Sequence, residues 1–376
     1  MNRFRKMKIA VIGSGMISGT YIKTLQEADI VEVVGCSDIK PERSKARADE
    51  FNIRQMTNEE ILADPEIEMV LNTTYPLAHF DVAKAALQAG KHVYTEKMTT
   101  ETVEQANALI ALAKEKHLFL GGAPDTFLCG GIQLARQILD SGIIGEPVMT
   151  EAFLSRSYHH ERFFANNEKR FAFQRHGGII FDMGAYYLTD MVFLLGAIEK
   201  VCGFSQIRNP HRVYQKMTCP MYGEPMEVES WNNVTGSIQF KNGALGTITA
   251  TSEGGAGTNH FLIQCTDGKI DLGDPNLFES EIKLYNKKGE ESIIKSPFSY
   301  SGKNYRGIGL IDAVYAIQTG RFPRCNADMN RHVLEAALGI CESSLTRKTY
   351  DMKTTCHRPQ PLATGYTENP ELVFAG

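Results

Sequence analysis

Residues 7–19 read Met-Lys-Ile-Ala-Val-Ile-Gly-Ser-Gly-Met-Ile-Ser-Gly, and residues 31–38 read Val-Glu-Val-Val-Gly-Cys-Ser-Asp. A short apolar run leads into Gly13-Ser14-Gly15, an amphipathic segment follows, and a second apolar run closes on Asp38. That order predicts a strand, a tight glycine turn, a helix and a second strand ending in an acid, the arrangement a dinucleotide site requires. Gly13 permits the turn. Gly15 places no side chain between a pyrophosphate and the amides of Met16 and Ile17, where unpaired N–H groups and the helix dipole favour an anion. The third small position is Ser18, or Gly19 one place later, instead of a glycine in strict G-x-G-x-x-G spacing. Asp38 supplies context that the glycines lack, because a carboxylate at the end of the second strand can accept hydrogen bonds from both ribose hydroxyls of an adenosine.

Between Pro41 and Leu120 helix and strand patterns alternate, with helices at 41–51, 58–63, 76–89 and 101–115 and strands at 69–74, 92–95 and 118–120. Such alternation predicts a parallel sheet with helices on both faces, whose ligands bind outside the carboxyl ends of the strands. Three strand ends therefore matter: Gly13 to Met16, Asn72 to Tyr75, and Glu96-Lys97-Met98. After Pro124 the character changes. A helix near 131–139 stops at Gly142, and from Pro147 the pattern has period two. Lys241-Asn242-Gly243-Ala244 and Asp267-Gly268 supply the positive φ values of tight hairpins, so the strands around them are antiparallel. Helices are expected near 178–195, 307–319 and 328–344, and the tail after about Lys353 reads as loosely ordered. The fold class is thus α/β, with a Rossmann dinucleotide-binding domain over 1–125 and an α+β domain with an open, mainly antiparallel sheet over 126–376. A broad sheet with one uncovered face predicts pairing with another subunit, as a homodimer or homotetramer.

Length fits two domains that each bury a core. The chain of 376 residues is 43% hydrophobic and 22% charged, with a formal net charge of −4. That balance gives no electrostatic footprint for nucleic acid or an anionic membrane. The eight cysteines are scattered without C-x-x-C or metal-ligand spacing, which reads as reduced thiols, a cytoplasmic protein and no metal site. Arg3, Arg5, Lys6 and Lys8 precede an apolar run that the glycine turn interrupts, so the run reads as a strand and not as a secretory signal. No stretch approaches the ~18 apolar residues of a membrane span.

Two further segments carry chemistry. Thr95-Glu96-Lys97 ends a parallel strand beside the cofactor crevice, where a lysine is either a solvated charge or a working cation. The other runs from Gly177-Gly178 through Asp182, Gly184 and Tyr186 to Asp190. If it is helical, Asp182 and Tyr186 stand at i and i+4 on one face with Thr189 beyond, while Ile180, Met183, Tyr187, Met191 and Leu195 face the protein. On spacing alone, the alternative is that Asp182 caps or pairs and Tyr186 packs.

With these segments the chain resembles the glucose–fructose oxidoreductase and inositol dehydrogenase (Gfo/Idh/MocA) family over nearly its whole length. The likeness rests on the Gly13 turn, Glu96-Lys97, Ala123-Pro124-Asp125-Thr126-Phe127, the helix carrying Gly177, Gly178, Asp182 and Gly184, and the terminal helices. It implies a Rossmann domain followed by an open-sheet domain, and oxidation or reduction of a carbinol of a sugar, cyclitol or glycoside with NAD(H) or NADP(H). Met98 stands where the family usually has proline. Tyr186 stands where it usually has histidine, as in the branch that includes glucose–fructose oxidoreductase.

Moving a hydride from a secondary alcohol requires that the hydroxyl lose its proton as the carbonyl forms. A phenol with a pKa of ~10 is a poor base unless a cation lies beside it. Lys97 is the candidate cation and the first catalytic candidate, Tyr186 the second, and Asp182 positions the lysine or a substrate hydroxyl. His176 is a third acid/base candidate, since imidazole titrates near ~6.5; its alternative is a surface-loop residue. Asp38 favours NAD over NADP because a 2′-phosphate would meet a like charge, with Lys40 and Arg43 pulling the other way. The resemblance puts Thr73, Thr74, His79 and Glu96 among the cofactor contacts, His79 being alternatively a helix-face residue. Tyr158, His159, His160 and Arg162 are expected to line or cover the substrate site; Arg306 and Trp231 are lesser candidates for it, with packing or surface roles as the leading alternative. The leading expectation is an NAD-dependent oxidoreductase acting on a ring hydroxyl. Its rivals are a glycoside-cleaving enzyme that keeps its NAD and oxidises the sugar transiently, and a catalytically silent nucleotide-binding sensor.

Overall fold

Six short strands, mostly apolar except for the exposed edge pair Arg54-Gln55, pair in parallel in the order β3-β2-β1-β4-β5-β6. They are β1 (Met7–Ile12), β2 (Val31–Ser37), β3 (Arg54–Gln55), β4 (Met69–Asn72), β5 (His92–Thr95) and β6 (Leu120–Gly122) in a computed structural model that describes residues 4–157, 170–214, 217–363 and 370–374. A parallel sheet is covered on both faces: Ile9, Val11, Leu71 and Tyr94 join one core cluster, and Ala10, Ile12, Val70 and Val93 the other. The covering helices are α1 (Met16–Gln26), α2 (Pro41–Phe51), α3 (Asn58–Ala63), α4 (Pro76–Gln88) and α5 (Val103–Glu115). Their starts follow local chemistry: proline opens α2 and α4, and a Thr57–Glu60 capping box opens α3. Strand order reverses between β1 and β4, which puts the ligand crevice of the sheet at Gly13–Gly15 and Asn72–Tyr75. The last strand sits two residues later than its apolar signal. Gly121 and Gly122 belong to it, because a Cβ on Gly121 would lie 2.0 Å from the Cys325 carbonyl oxygen.

The rest of the chain builds one nine-stranded sheet and its cover. In chain order these elements are α6 (Gly130–Ser141), β7 (Pro147–Ser157), α7 (Ile179–Asp182), α8 (Gly184–Leu195) and β8 (Ile198–Gln206). A small ribbon of β9 (His211–Val213) and β10 (Pro225–Glu227) follows, then β11 (Asn233–Phe240), β12 (Leu245–Thr251), β13 (Glu253–Cys265), β14 (Gly268–Asp271), β15 (Glu281–Asn286) and β16 (Glu291–Lys295). The chain closes with α9 (Ile308–Thr319), α10 (Ala327–Thr346), β17 (Tyr350–Asp351) and α11 (Pro370–Phe374). The order is β16-β15-β14-β13-β7-β12-β11-β8-β17, antiparallel throughout except for the parallel pair β7–β12. Asn242-Gly243 and Asp267-Gly268 close the expected hairpins, with Gly243 at φ 91°.

Register sorts the two faces of this sheet. Rows such as Gly203–Gly236–Ile248–Ala152–Phe261 turn inward under α10 and α8, and the two glycines let Ile340 of α10 settle on the strands. Alternate rows, Lys200–Gln239–Leu245–Met149 and Phe204–Thr235–Thr249–Phe153, turn outward. Phe204 is 78% exposed, Leu245 48% and Met149 43%, so the sheet does have the open face expected of it.

The tail is a correction. Residues 353–362 are fixed, because distant buried side chains satisfy their backbone groups: Glu335 accepts from the Lys353 and Thr354 amides at 2.8 Å each, Arg136 donates to the Pro359 carbonyl at 2.9 Å, Arg324 donates to that of Pro361 at 2.9 Å, and the Gln133 carbonyl oxygen accepts from the Leu362 amide at 2.7 Å.

Candidate active site

The first glycine turn is built as an anion cradle. Gly13 has φ 100°, and a Cβ there would lie 2.7 Å from the Thr73 carbonyl carbon, so only glycine lets the β1 and β4 ends meet. Gly15 caps α1 without a side-chain hydrogen bond, and a Cβ added there would meet nothing within 4 Å. The helix N-terminus therefore faces open space that a pyrophosphate fits. Ser18 is buried and donates to the Gly15 carbonyl at 2.7 Å, whereas Gly19 gives room to the Arg47 guanidinium, which donates to the same carbonyl at 3.0 Å. The strict third glycine is thus replaced by two small residues. Asp38 accepts from the Ser14 amide at 2.8 Å and from the Lys40 amide at 2.9 Å, one per oxygen. That leaves each oxygen a second lone pair for a ribose hydroxyl. Apolar side chains collect around these strand ends with their surfaces in water: Met16 is 65% exposed and Ile39 89%, with Tyr75 and Leu77 at 44% each. The residues present fit a dinucleotide.

Thr73, Thr74 and His79 stand at the β4 end of the crevice, and their side-chain polar atoms bond within the protein. The Thr73 hydroxyl donates to the Gly13 carbonyl at 2.5 Å, and the Thr74 hydroxyl donates to the Asn72 side-chain oxygen at 2.7 Å. His79 is fully buried, with Nδ1 2.7 Å from the Met98 carbonyl oxygen and Nε2 3.0 Å from that of Thr74. Burial holds its titration below the usual histidine range against those two bonds. Its ring presents no free nitrogen to a ligand; it ties the β4 end to the β5 end. The bond between Lys97 and Met98 is cis, as is that between Ala123 and Pro124.

Above the crevice the two halves of the chain converge. Glu96 accepts from the Tyr21 hydroxyl at 2.5 Å and from the Lys97 amide at 3.1 Å, which fixes the strand end that carries Lys97. Lys97 Nζ donates to Asp182 Oδ1 at 2.5 Å and to the Asp182 carbonyl at 2.8 Å, and it lies 5.6 Å from the centroid of the Tyr186 ring. Both side chains of the ion pair are 12% exposed. Burial pulls the Lys97 ammonium down, but the Asp182 carboxylate, Tyr186 and Glu96 outweigh it and hold the amine protonated above the ordinary lysine range. The helix that presents the acid and the phenol is broken at Met183 (φ −108°, ψ −36°) into α7 and α8. Gly178 starts it where a Cβ would lie 2.4 Å from both the Ser230 hydroxyl and the Trp231 carbonyl.

Arg306, a lesser candidate from the sequence, is drawn into this group. It is 8% exposed, and its Nη2 donates to the Tyr186 hydroxyl oxygen at 3.2 Å and to the Asn276 side-chain oxygen at 2.5 Å. Its Cζ lies 5.5 Å from the Tyr186 ring centroid, so the phenol sits between two cations. Asp125 sets this up: its carboxylate accepts from the amides of Gly307 at 2.8 Å and Gly309 at 3.1 Å, capping the start of α9 directly after Arg306.

His176 stands apart from this group. Its Nε2 accepts from Arg175 at 3.1 Å and lies 3.9 Å from Glu101, its ring packs 5.8 Å from that of Phe181, and burial lowers its titration. No bond joins it to Lys97, Asp182 or Tyr186 among the described residues. Trp231 packs near Phe181, 6.4 Å between ring centroids. Tyr158, His159, His160 and Arg162 lie outside the described residues. Among the described residues no helix is long and apolar enough to cross a membrane.

Comparison with known proteins agrees with this architecture. Residues 7–121 match the family model described as "Oxidoreductase family, NAD-binding Rossmann fold", and residues 132–271 match the "GFO/IDH/MocA C-terminal domain". An uncharacterized oxidoreductase of Schizosaccharomyces pombe is 30% identical over 228 residues, covering 59% of this chain and 58% of that protein. Inositol 2-dehydrogenase of Salmonella typhimurium is 32% identical over 149 residues, 38% of this chain and 44% of that one. These matches thus span only about half of the curated relatives' length. Levoglucosan dehydrogenase in complex with NADH superposes with a TM-score of 0.83 over 93% of this chain and 100% of that one, at 19% identity, a likeness of fold. Because the two family models together span more than half of the chain and fall on the two sheets described above, the chain belongs to the Gfo/Idh/MocA family of oxidoreductases, with an NAD-binding Rossmann domain at its N-terminus.

Proposed function

We propose that this protein transfers a hydride between a ring hydroxyl of a sugar, cyclitol or glycoside and NAD. The observation that carries the reading is the meeting of Lys97, from the end of β5, with Asp182 and Tyr186, from the opposite half of the chain, beside the crevice at the β1/β4 switch point. In this scheme residues 1–125 hold the dinucleotide and residues 126–376 the substrate and the subunit contact.

Bound NAD supplies the hydride acceptor. Around it, Asp38 takes the adenosine ribose, and its fixed charge favours NAD over NADP. The amides of Met16 and Ile17 take the pyrophosphate. Lys97 stays protonated, so it donates a hydrogen bond to the reacting oxygen and opposes charge there; it is not the base. The proton of the substrate hydroxyl goes to the Tyr186 oxygen in its phenolate form, whose charge Arg306 and Lys97 both face and which the transfer neutralises. This moves the acid/base role from Lys97, the first candidate by sequence, to Tyr186. Asp182 is the positioning residue that keeps Lys97 charged and aimed.

Several hydrogen-bond donors suit a polyol, and the names of two similar proteins, inositol 2-dehydrogenase and levoglucosan dehydrogenase, point the same way. The outward rows of the nine-stranded sheet, with Met149, Phe204 and Leu245 in water, are the surface for a second copy of the chain. The test is NADH formation at 340 nm from NAD and a panel of cyclitols, aldoses and anhydrosugars. Activity that falls 100-fold or more in Lys97→Met supports the reading; no turnover on any member of the panel, or turnover indifferent to Lys97, overturns it.

A further inference from the structure

We propose that Asn276 is a specificity-determining residue that reads a second oxygen beside the carbinol being oxidised, so that the site selects vicinal diols over isolated alcohols; this rests on the reading of the Lys97–Tyr186 site given above. Arg306 has five N–H donors and no acceptor. The Asn276 side-chain atom 2.5 Å from Arg306 Nη2 is therefore its oxygen, and the Asn276 backbone carbonyl, 3.1 Å from the same nitrogen, completes the clamp. With the oxygen so engaged, the amide nitrogen is left as a pure donor on the other side of the group, and no described residue accepts from it.

Position makes that donor useful. One nitrogen, Arg306 Nη2, touches both the Asn276 amide oxygen and the Tyr186 hydroxyl, so the amide lies two hydrogen bonds from the oxygen that takes the substrate proton. In the proposed complex, a substrate hydroxyl bonded to Tyr186 would have the oxygen of its neighbouring carbon within reach of this amide. The loop is rigid there: the Asn276 amide N–H donates to Asp274 Oδ1 at 3.0 Å, and Asp274 Oδ2 is gripped by Arg156 at 2.9 Å and Asn259 at 2.7 Å. Asn304 engages Arg306 Nη1 in the same sense at 3.0 Å but is exposed, which leaves Asn276 as the half-buried amide linked through Arg306 to the phenol. A preset amide with its acceptor already spent rejects an analogue that lacks the matching oxygen, because the donor would then be buried unpaired.

The test uses the NAD-loaded protein with three probes: myo-inositol, levoglucosan and cyclohexanol, the last having one hydroxyl. Asn276→Asp keeps an oxygen for Arg306 and removes the donor; Asn276→Leu removes both. Calorimetric titration and steady-state kinetics are read together. Asn276→Asp is expected to weaken binding of the better cyclic polyol at least tenfold and to reduce its kcat/KM preference over cyclohexanol by a similar factor. Asn276→Leu is expected to lower kcat as well, since Arg306 loses its brace. Polyol binding within twofold of wild type in Asn276→Asp overturns the inference even if turnover is normal. Binding that depends on Asn276 without NADH formation upholds it and overturns the proposed reaction instead. Failure of every probe to bind overturns both.

Discussion

Replacing Asp182 with Asn isolates what the carboxylate does for Lys97. The variant keeps the backbone carbonyl that accepts from Nζ at 2.8 Å and the Tyr186 ring at 5.6 Å, and it removes only the charge at 2.5 Å. Burial, which disfavours the ammonium, then loses its largest opponent, so the titration of Lys97 must move down. Breaking a buried pair costs ~3–5 kcal/mol. With 12% of each side chain still in contact with water, the lower end applies, about 3 kcal/mol, which is roughly a hundredfold rise in the neutral-amine fraction at fixed pH. The assay needs no substrate. The protein is pulsed with an acylating reagent at pH 8 and the label on Lys97 is quantified by peptide mass spectrometry against exposed lysines such as Lys287 as internal controls. Wild-type Lys97 is expected to be inert and the Asp182→Asn enzyme to label at least tenfold faster. Equal labelling in the two proteins would refute the argument that Asp182 holds the charge.

Gly15→Ala is expected to leave the melting temperature unchanged, since a Cβ meets nothing within 4 Å, while NAD affinity measured by fluorescence titration falls tenfold or more. Arg306→Met removes a charged donor worth ~1.5–3 kcal/mol to the Tyr186 oxygen, so kcat is expected to drop roughly 10- to 100-fold in stopped-flow turnover. Asp38→Ser is expected to cut the NAD-over-NADP ratio of kcat/KM at least tenfold, about 1.4 kcal/mol, in parallel assays with the two cofactors. Glu335 is buried, which pushes its carboxyl up, but the Thr354 hydroxyl and the Lys353 and Thr354 amides hold it below the usual carboxylate range. Its contribution is therefore full above the unfolded value of ~4.3 and is lost as pH falls through the lower folded value, so Glu335→Gln is expected to flatten the acid limb of urea stability measured from pH 3 to 7.

Much of the dinucleotide half was legible because its signals are local. Gly13-Ser14-Gly15, the proline starts of α2 and α4, and the acid at Asp38 each state their geometry within a few residues of chain. Lys97 and Asp182 were legible as types at strand and helix ends, and their meeting followed from the topology. Arg306 was legible only as a lesser candidate, because its place depends on Asp125, distant in sequence, capping α9 and aiming the guanidinium at Tyr186. The tail was misread for the same reason: its composition is loose, but Glu335, Arg136, Arg324 and Gln133 reach it from elsewhere. Thr73 and His79 sit at the crevice as expected, yet their polar atoms are spent on holding the strand ends together. Chain order marks where a residue is; only the folded neighbourhood tells which of its hydrogen bonds are already taken.

The most direct measurement is isotopic. Protein loaded with NAD is incubated with fully deuterated myo-inositol or levoglucosan, and the dinucleotide is recovered for mass spectrometry. The account predicts deuterium on the reduced nicotinamide with wild type and at least 100-fold slower labelling with Lys97→Met; an unlabelled dinucleotide, or equal labelling by the two proteins, would contradict it.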